Sequence, residues 1–245
     1  MSSQSFALPG SNYGYTGIPV DDLETQDNTL VVAGFDQSGS TKKWASDMEN
    51  CIKEIIKSCR SAADKLIYRQ VQFDDEIKEF HGYKPLAECN VDDYTGCWSG
   101  GGTTNLYGAS ENIIDSIVDY AEQQAALHYN VNAIAYFLTD GAHYLPGVAD
   151  KTLFTMEKVR LANQRAIDCE ALESIMTICI GITGGDDRIR DKLRAFSNDV
   201  NFTQFIDVAD ADEKTLAKIA NFISASVQSQ SQALGSGGPS QSLTF

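Results

Sequence analysis

A carboxylate and two hydroxyl groups follow a short apolar stretch near the start of the chain. They are Asp36, Ser38 and Ser40, and they stand directly after the apolar run 30–35. A run of this length, rich in β-branched and aromatic side chains, predicts a strand buried on both faces. One carboxylate and two hydroxyl oxygens suit Mg²⁺ or Mn²⁺ better than a softer ion. The alternative interpretation is that Ser38 or Ser40 simply caps the next helix, because Asp and Ser are common turn and N-cap residues.

Two later segments offer oxygen atoms in comparable positions. The sequence GGGTTN at 100–105 precedes a predicted helix, and Asp140 follows the apolar run 132–139. No Gly-Lys-Ser/Thr follows the three glycines, so a nucleotide-binding loop is not expected, and the glycines would instead let the backbone pass close to a bound ion. Ligands in open α/β sheets bind at the carboxyl ends of the strands. We therefore expect Thr104 and Asp140 to lie at the same sheet edge as Asp36.

Strand and helix patterns alternate along the chain. We predict strands at 30–35, 66–72, 76–81, 132–139, 174–182 and 202–208, and helices at 41–63, 106–127, 152–171, 188–196 and 211–226. This alternation predicts an α/β fold with a doubly wound, mostly parallel sheet and helices on both faces, in one domain at 29–226. The second and third strands predict a hairpin that forms an antiparallel sheet edge. Residues 82–102 are predicted to form a long irregular loop.

Neither end of the chain carries much charge. Residues 1–20 have no charged side chain and are rich in Ser, Gly and Tyr. We expect 1–28 to form an N-terminal arm that is disordered alone or laid across a surface by its aromatic side chains. Residues 227–245 are also uncharged and predict a flexible tail.

The composition excludes several classes of partner. The 245 residues include 19 Lys or Arg and 34 Asp or Glu, for a net charge of −15. Such a chain repels nucleic acids and anionic membranes, so neither is expected as a partner, although solubility alone also explains the acidity. Six cysteines without a close pair, and only three histidines, disfavour a structural zinc site. Without a signal sequence or an apolar span, we expect a reduced, cytoplasmic protein.

Three motifs occur in a fixed order between residues 30 and 226: D-Q-S-G-S, G-G-T-T-N-L-Y-G-A and F-L-T-D-G. Together they resemble the metal-ion-dependent adhesion site of the von Willebrand factor A (vWA) domain family. The resemblance implies a Rossmann-like vWA fold and a bound Mg²⁺ or Mn²⁺. The implied ligands are Asp36, Ser38, Ser40, Thr104 and Asp140, of which the serines bind directly and Asp140 binds directly or through water. Thr103 is the alternative to Thr104, because the doubled threonine leaves the register open.

The resemblance also implies a function. The protein would be a non-enzymatic protein-binding adaptor, in which an Asp or Glu of a protein partner completes the coordination shell of the Mg²⁺ ion. We expect further partner contacts from Thr103, His143, Tyr94 and Trp98. For the two loop aromatics, packing within their own loop is the alternative.

Two other functions stay open at this point. The chain could be a structural subunit of a larger assembly, phage-related or associated with an AAA+ ATPase, in which the neutral terminal arms tie subunits together. It could also be a Mg²⁺-dependent hydrolase, for which His143 is the nearest candidate base.

Overall fold

The computed structural model describes residues 3–8, 11, 13–24, 27–60, 65–150, 152–209 and 212–236. These residues form eight strands and five helices. The strands are β1 (Gln4–Ala7), β2 (Gly14–Gly17), β3 (Asp27–Asp36), β4 (Leu66–Phe73), β5 (Ile77–Pro85), β6 (Asn130–Thr139), β7 (Ser174–Ile182) and β8 (Gln204–Val208). The helices are α1 (Ala45–Cys59), α2 (Leu106–Ala125), α3 (Met156–Ile167), α4 (Asp187–Asp199) and α5 (Glu213–Ser236).

The strands form one sheet in the order β1-β2-β5-β4-β3-β6-β7-β8. Neighbouring strands in the run β4-β3-β6-β7-β8 pair in parallel. The strand β5, on the other side of β4, pairs antiparallel with it. The predicted mostly parallel α/β sheet with an antiparallel edge is confirmed. The predicted hairpin does not itself end the sheet, because Gly17 of β2 pairs with Tyr83 on the outer side of β5.

The central strand β3 supplies side chains to two hydrophobic cores. Val31 and Phe35 belong to the core beneath α1 and α5, whereas Leu30 and Val32 belong to the core beneath α2, α3 and α4. This alternation follows from the two-residue period of a strand. Full burial of a Leu or Phe side chain contributes about 2 kcal/mol, so β3 is firmly fixed between the two helical layers. Its last residue, Asp36, is fixed with it.

The N-terminal arm is part of the sheet. We expected residues 1–28 to be disordered alone or laid across a surface, but the described part forms β1 and β2. The ring of Tyr15 is buried, with its centroid 4.9 Å from that of Phe6 and 5.5 Å from that of Tyr83. The arm is therefore packed by its aromatic side chains, as one of the two expectations held: Tyr15 enters the core, whereas β1 is mostly exposed at the edge of the sheet.

A buried ion pair fixes the arm to the hairpin β4–β5. Arg69 is 1% exposed, and its Nε donates to Oε2 of Glu79 at 2.7 Å. Arg69 also donates to Ser116 Oγ and Asn112 Oδ1, both at 3.0 Å. Glu79 accepts from the backbone N–H of Thr16 in β2 at 2.9 Å. The carboxylate of Glu79 therefore has two roles: it neutralises the charge of Arg69, and it anchors β2.

The C-terminal helix continues past its predicted end at 226. Val227 is fully buried, and Asn132 Nδ2 donates to the carbonyl oxygen of Gln230 at 2.8 Å. The prediction of a flexible tail from 227 is wrong for 227–236, because α5 continues to Ser236 and is held to the sheet by buried Val227 and Gln230. The remainder of the predicted tail, 237–245, lies outside the described residues.

Other boundaries shift by smaller amounts. The first helix begins at Ala45, after a 3-10 turn at Gly39–Trp44, and its predicted end near 63 lies outside the described residues. The helix predicted at 152–171 begins only after Thr155, whose hydroxyl accepts from the N–H of Lys158 as an N-cap. The loop predicted at 82–102 begins inside β5. No helix in the described part of the chain is long and apolar enough to cross a bilayer.

We expect Glu79→Ala to lower the free energy of unfolding by about 3 kcal/mol, because it removes the carboxylate that neutralises the buried charge of Arg69. Urea unfolding measures this loss. Glu157→Ala is the matched control, since it removes the partner of Arg160 in an exposed ion pair and should leave stability nearly unchanged. Equal losses in the two variants would contradict the role of the buried pair.

Candidate metal centre

Asp36 is held by groups from two neighbouring strands. Its Oδ1 accepts from the backbone N–H of Ser38 at 2.8 Å, and its Oδ2 accepts from the hydroxyl of Thr139 at 2.5 Å. Thr139 is the last residue of β6, which pairs in parallel with β3. The carboxylate is fully buried. Its orientation is therefore set by the ends of both central strands.

A chain of polar contacts joins Asp36 to Asp140. The hydroxyl oxygens of Ser38 and Ser40 are 3.1 Å apart, and the Ser40 hydroxyl donates to Oδ1 of Asp140 at 2.7 Å. Neither helix-capping alternative holds, because the Ser38 side chain makes no cap hydrogen bond and α1 is preceded by Trp44 instead. Four of the five predicted ligand residues therefore meet at the carboxyl ends of β3 and β6.

The glycine loop, residues 100–102, brings Thr104 to the same edge of the sheet. The N–H of Gly101 donates to the carbonyl oxygen of Gln37 at 2.8 Å, and the N–H of Gly39 donates to that of Gly102 at 3.3 Å. A Cβ atom at Gly100 would lie 2.2 Å from the Gln37 carbonyl oxygen. Only glycine permits this approach of the two loops. Thr104, which is buried, follows directly, and Thr103 beside it is half-buried.

Two supporting residues were not predicted. Thr139 orients Asp36, and the signal for it was its hydroxyl immediately before Asp140. Gln37, the residue after Asp36, accepts from the Ser99 hydroxyl at 3.4 Å and donates to the Cys97 carbonyl oxygen at 3.5 Å. Its side chain thereby holds the segment before the three glycines against the turn that follows β3, a role that the sequence does not signal.

Burial governs the ionisation of both carboxyl groups. It raises the pKa of Asp36 to about 7, against hydrogen bonds from Thr139 and Ser38 that lower it, and the charge of Asp140 raises it further. Burial also raises the pKa of Asp140, opposed by the hydrogen bond from Ser40 and by the positive charge of Lys43. Two carboxylates that share a buried site repel each other, and a bound cation would relieve that repulsion.

The donor set fits a hard divalent cation. All of the candidate ligand atoms are carboxylate or hydroxyl oxygens, which suit Mg²⁺ and Mn²⁺. Within the described ranges no three His, Cys, Asp or Glu side chains gather into a group that could hold a metal ion. Any metal at this edge therefore depends on hydroxyl ligands as well as on Asp36 and Asp140.

The predicted partner contacts lie in different surroundings. Tyr94 is fully buried, and its hydroxyl is 2.6 Å from Nε2 of His81. The prediction that Tyr94 contacts a partner is wrong, because the loop folds it into the core. Trp98 is half-buried, with its ring 6.1 Å from that of Phe35 in β3, so it packs outside its own loop, and its contact with a partner stays a prediction. His143 stacks on Tyr107 at 3.9 Å near the site, and its role stays a prediction.

Tyr144 lies at the edge of the candidate site, beside Thr104, and was not predicted to do so. Its backbone pairs with that of Thr104 through two hydrogen bonds of 3.0 and 2.9 Å, and 63% of its surface is exposed. Nothing in the sequence distinguishes this tyrosine from the nine others, since only the fold places it beside Thr104.

Comparison with known proteins identifies the fold. No protein-family model matches the sequence, and no characterised protein sequence matches it. A von Willebrand factor type A protein from Catenulispora acidiphila superposes with a TM-score of 0.56 at 16% identity, over 83% of this chain and 43% of that one. The chain has a vWA-like fold.

Two pilus proteins also superpose on this chain. The PilB minor pilin from Streptococcus sanguinis superposes with a TM-score of 0.62 at 15% identity, over 89% of this chain and 65% of that one. The pilus adhesin SpaC from Lactobacillus rhamnosus GG gives 0.54 at 14% identity, over 82% and 31%. The present chain thus spans less than two thirds of each of these proteins, and at such identities the likeness concerns the fold alone.

We expect Gly100→Ala to weaken Mg²⁺ binding by about tenfold or more, because the added methyl group forces the glycine loop away from Gln37. Isothermal titration calorimetry measures the affinity. Gly101→Ala is the matched control, since a Cβ atom there meets nothing within 4 Å. Equal affinity in the two variants would show that the loop contact does not position the site.

Proposed function

We propose that the protein is a protein-binding module that engages a carboxylate of its partner through a Mg²⁺ or Mn²⁺ ion at the carboxyl ends of β3 and β6. The observation that carries this proposal is the polar chain from Asp36 through Ser38 and Ser40 to Asp140. These residues come from separate parts of the sequence, and they converge at the edge where α/β sheets bind ligands.

The chain's own residues would have two roles, holding the ion and orienting one of its ligands. Asp36, Ser38, Ser40, Thr104 or Thr103, and Asp140 would hold the ion, and Thr139 orients Asp36 through its hydroxyl. A bound divalent ion would supply a positive centre that attracts an external carboxylate. Because only two protein carboxylates share the site, their charge does not exceed that of the ion, so the metal-loaded site itself would not repel a partner carboxylate.

A role as a subunit of a larger assembly is the second candidate. The likeness to a minor pilin and a pilus adhesin supports it. The described part of the N-terminal arm is packed into its own sheet, so this candidate no longer draws on that arm as a free tie between subunits. The cytoplasmic location expected from the sequence stays a prediction beside this likeness. Light scattering of the full chain, with and without Mg²⁺, would detect self-assembly.

A hydrolytic function has less support. The Nδ1 atom of His143 accepts from the backbone N–H of Tyr107 at 3.3 Å, so this nitrogen is engaged at the start of α2. That the protein is not an enzyme stays our proposal. Turnover of phosphate or carboxylate esters by the metal-loaded protein, abolished by His143→Gln, would contradict it.

We expect Mg²⁺ to bind the wild-type protein and not Asp140→Ala, because the substitution removes one of the two carboxylates from the site. Calorimetric titration of metal-free protein measures this, with thermal stability followed in parallel. Asp150→Ala, which changes an exposed carboxylate that contacts Thr152, is the matched control and should bind as the wild type does. Binding that survives Asp140→Ala unchanged would refute the proposed site.

A further inference from the structure

Tyr144 is the only exposed Tyr, Phe or Trp side chain in the part of the chain that the structure describes. The remaining aromatic rings among these residues are buried or half-buried. Single exposed apolar side chains are common in folded proteins. Four large aliphatic side chains are exposed here: Leu127, Leu153, Leu161 and Ile167. What distinguishes Tyr144 is its place beside the candidate metal centre.

The support beneath Tyr144 is fixed on several sides. Its backbone N–H and carbonyl both pair with Thr104. The preceding residue, His143, stacks on Tyr107 with the two rings 4° from parallel. The backbone N–H of Gly141 donates to the Thr139 hydroxyl oxygen at 3.2 Å. An aromatic ring on a fixed support loses little conformational entropy when it binds a partner.

Tyr144 lies about one residue's length from the candidate metal centre, because it pairs with Thr104. Paired residues in an antiparallel bridge have Cα atoms about 5 Å apart. Thr104, the pairing residue, is itself a candidate ligand. A partner whose carboxylate reaches the metal centre would therefore bring its neighbouring side chain to the ring of Tyr144.

The charge at the rim also favours an acidic partner. Lys43, three residues after Ser40 in the chain, is exposed, and its ammonium group lies 3.9 Å above the ring centroid of Trp44. Its positive charge acts on Asp140. In a chain of net charge −15, a local cation of this kind reduces the repulsion that an approaching carboxylate meets.

We propose that Tyr144 packs against an apolar side chain next to the partner's carboxylate, so that the module selects segments in which Asp or Glu adjoins an aliphatic or aromatic residue. This inference rests on the proposed metal-dependent function and specifies its partner. Tyrosine suits the role, because its ring offers a large apolar face at a cost of few rotatable bonds.

Two blocked peptides test the inference: Gly-Gly-Glu-Phe-Gly-Gly and Gly-Gly-Glu-Gly-Gly-Gly. Each is titrated into the full chain with saturating Mg²⁺, and binding is followed by NMR. We expect the Phe peptide to bind the wild type about fivefold more tightly, the gain typical of one aromatic pair. Tyr144→Ser should abolish this difference and leave binding of the Gly peptide unchanged. Leu161→Ser, which removes an exposed apolar side chain from α3, should retain the difference.

Failure of this inference is distinguishable from failure of the proposed function. If both peptides bind in a Mg²⁺-dependent manner and Tyr144→Ser leaves their ratio unchanged, or weakens both equally, the assignment of Tyr144 is overturned and the metal-dependent function stands. If neither peptide binds, or if both bind equally well to Asp140→Ala, the proposed function is overturned and the inference falls with it.

Discussion

Two carboxyl groups, Asp36 and Asp140, lie buried at the ends of neighbouring parallel strands, and the free-energy cost of burying their charge is the constraint on which the surrounding structure depends. An uncompensated charge in such a place costs several kcal/mol. The protein meets this cost in part with hydrogen bonds from Thr139, the Ser38 backbone and Ser40. These contacts use neutral donors, so they orient the carboxylates without cancelling their charge. A divalent cation with oxygen preference would complete the compensation.

The sheet makes this arrangement rigid. The strand β3 lies between β4 and β6 and supplies side chains to both cores, so the turn after Asp36 begins from a fixed point. The glycine loop is held against this turn through Gln37, and the loop after β6 is held through the pairing of Thr104 with Tyr144. Three loops from distant parts of the chain thereby form one surface. Distortion of any one of them would move oxygen atoms that a small ion needs in place.

The elements that could be predicted are those whose structure depends on residues close together in the sequence. The runs at 30–35 and 132–139 are apolar on both faces because their strands are buried on both faces, and the polar residues after them mark the strand ends. The β2 strand could not be predicted in this way, because its anchor is Glu79, more than sixty positions later in the chain. The burial of Tyr94 and the exposure of Tyr144 likewise follow from tertiary packing. In the last helix, burial of Val227 and Gln230 prolongs a segment whose composition is typical of a linker.

The most direct test is a crystal structure of the full chain grown with Mn²⁺, with anomalous diffraction collected at the manganese edge. We expect one strong anomalous peak among Asp36, Ser38, Ser40 and Asp140, and the threonine oxygen nearest to the peak would decide between Thr103 and Thr104. A manganese peak elsewhere with none at this edge, or no peak at a Mn²⁺ concentration that saturates calorimetric binding, would contradict the binding of a divalent ion at the carboxyl ends of β3 and β6.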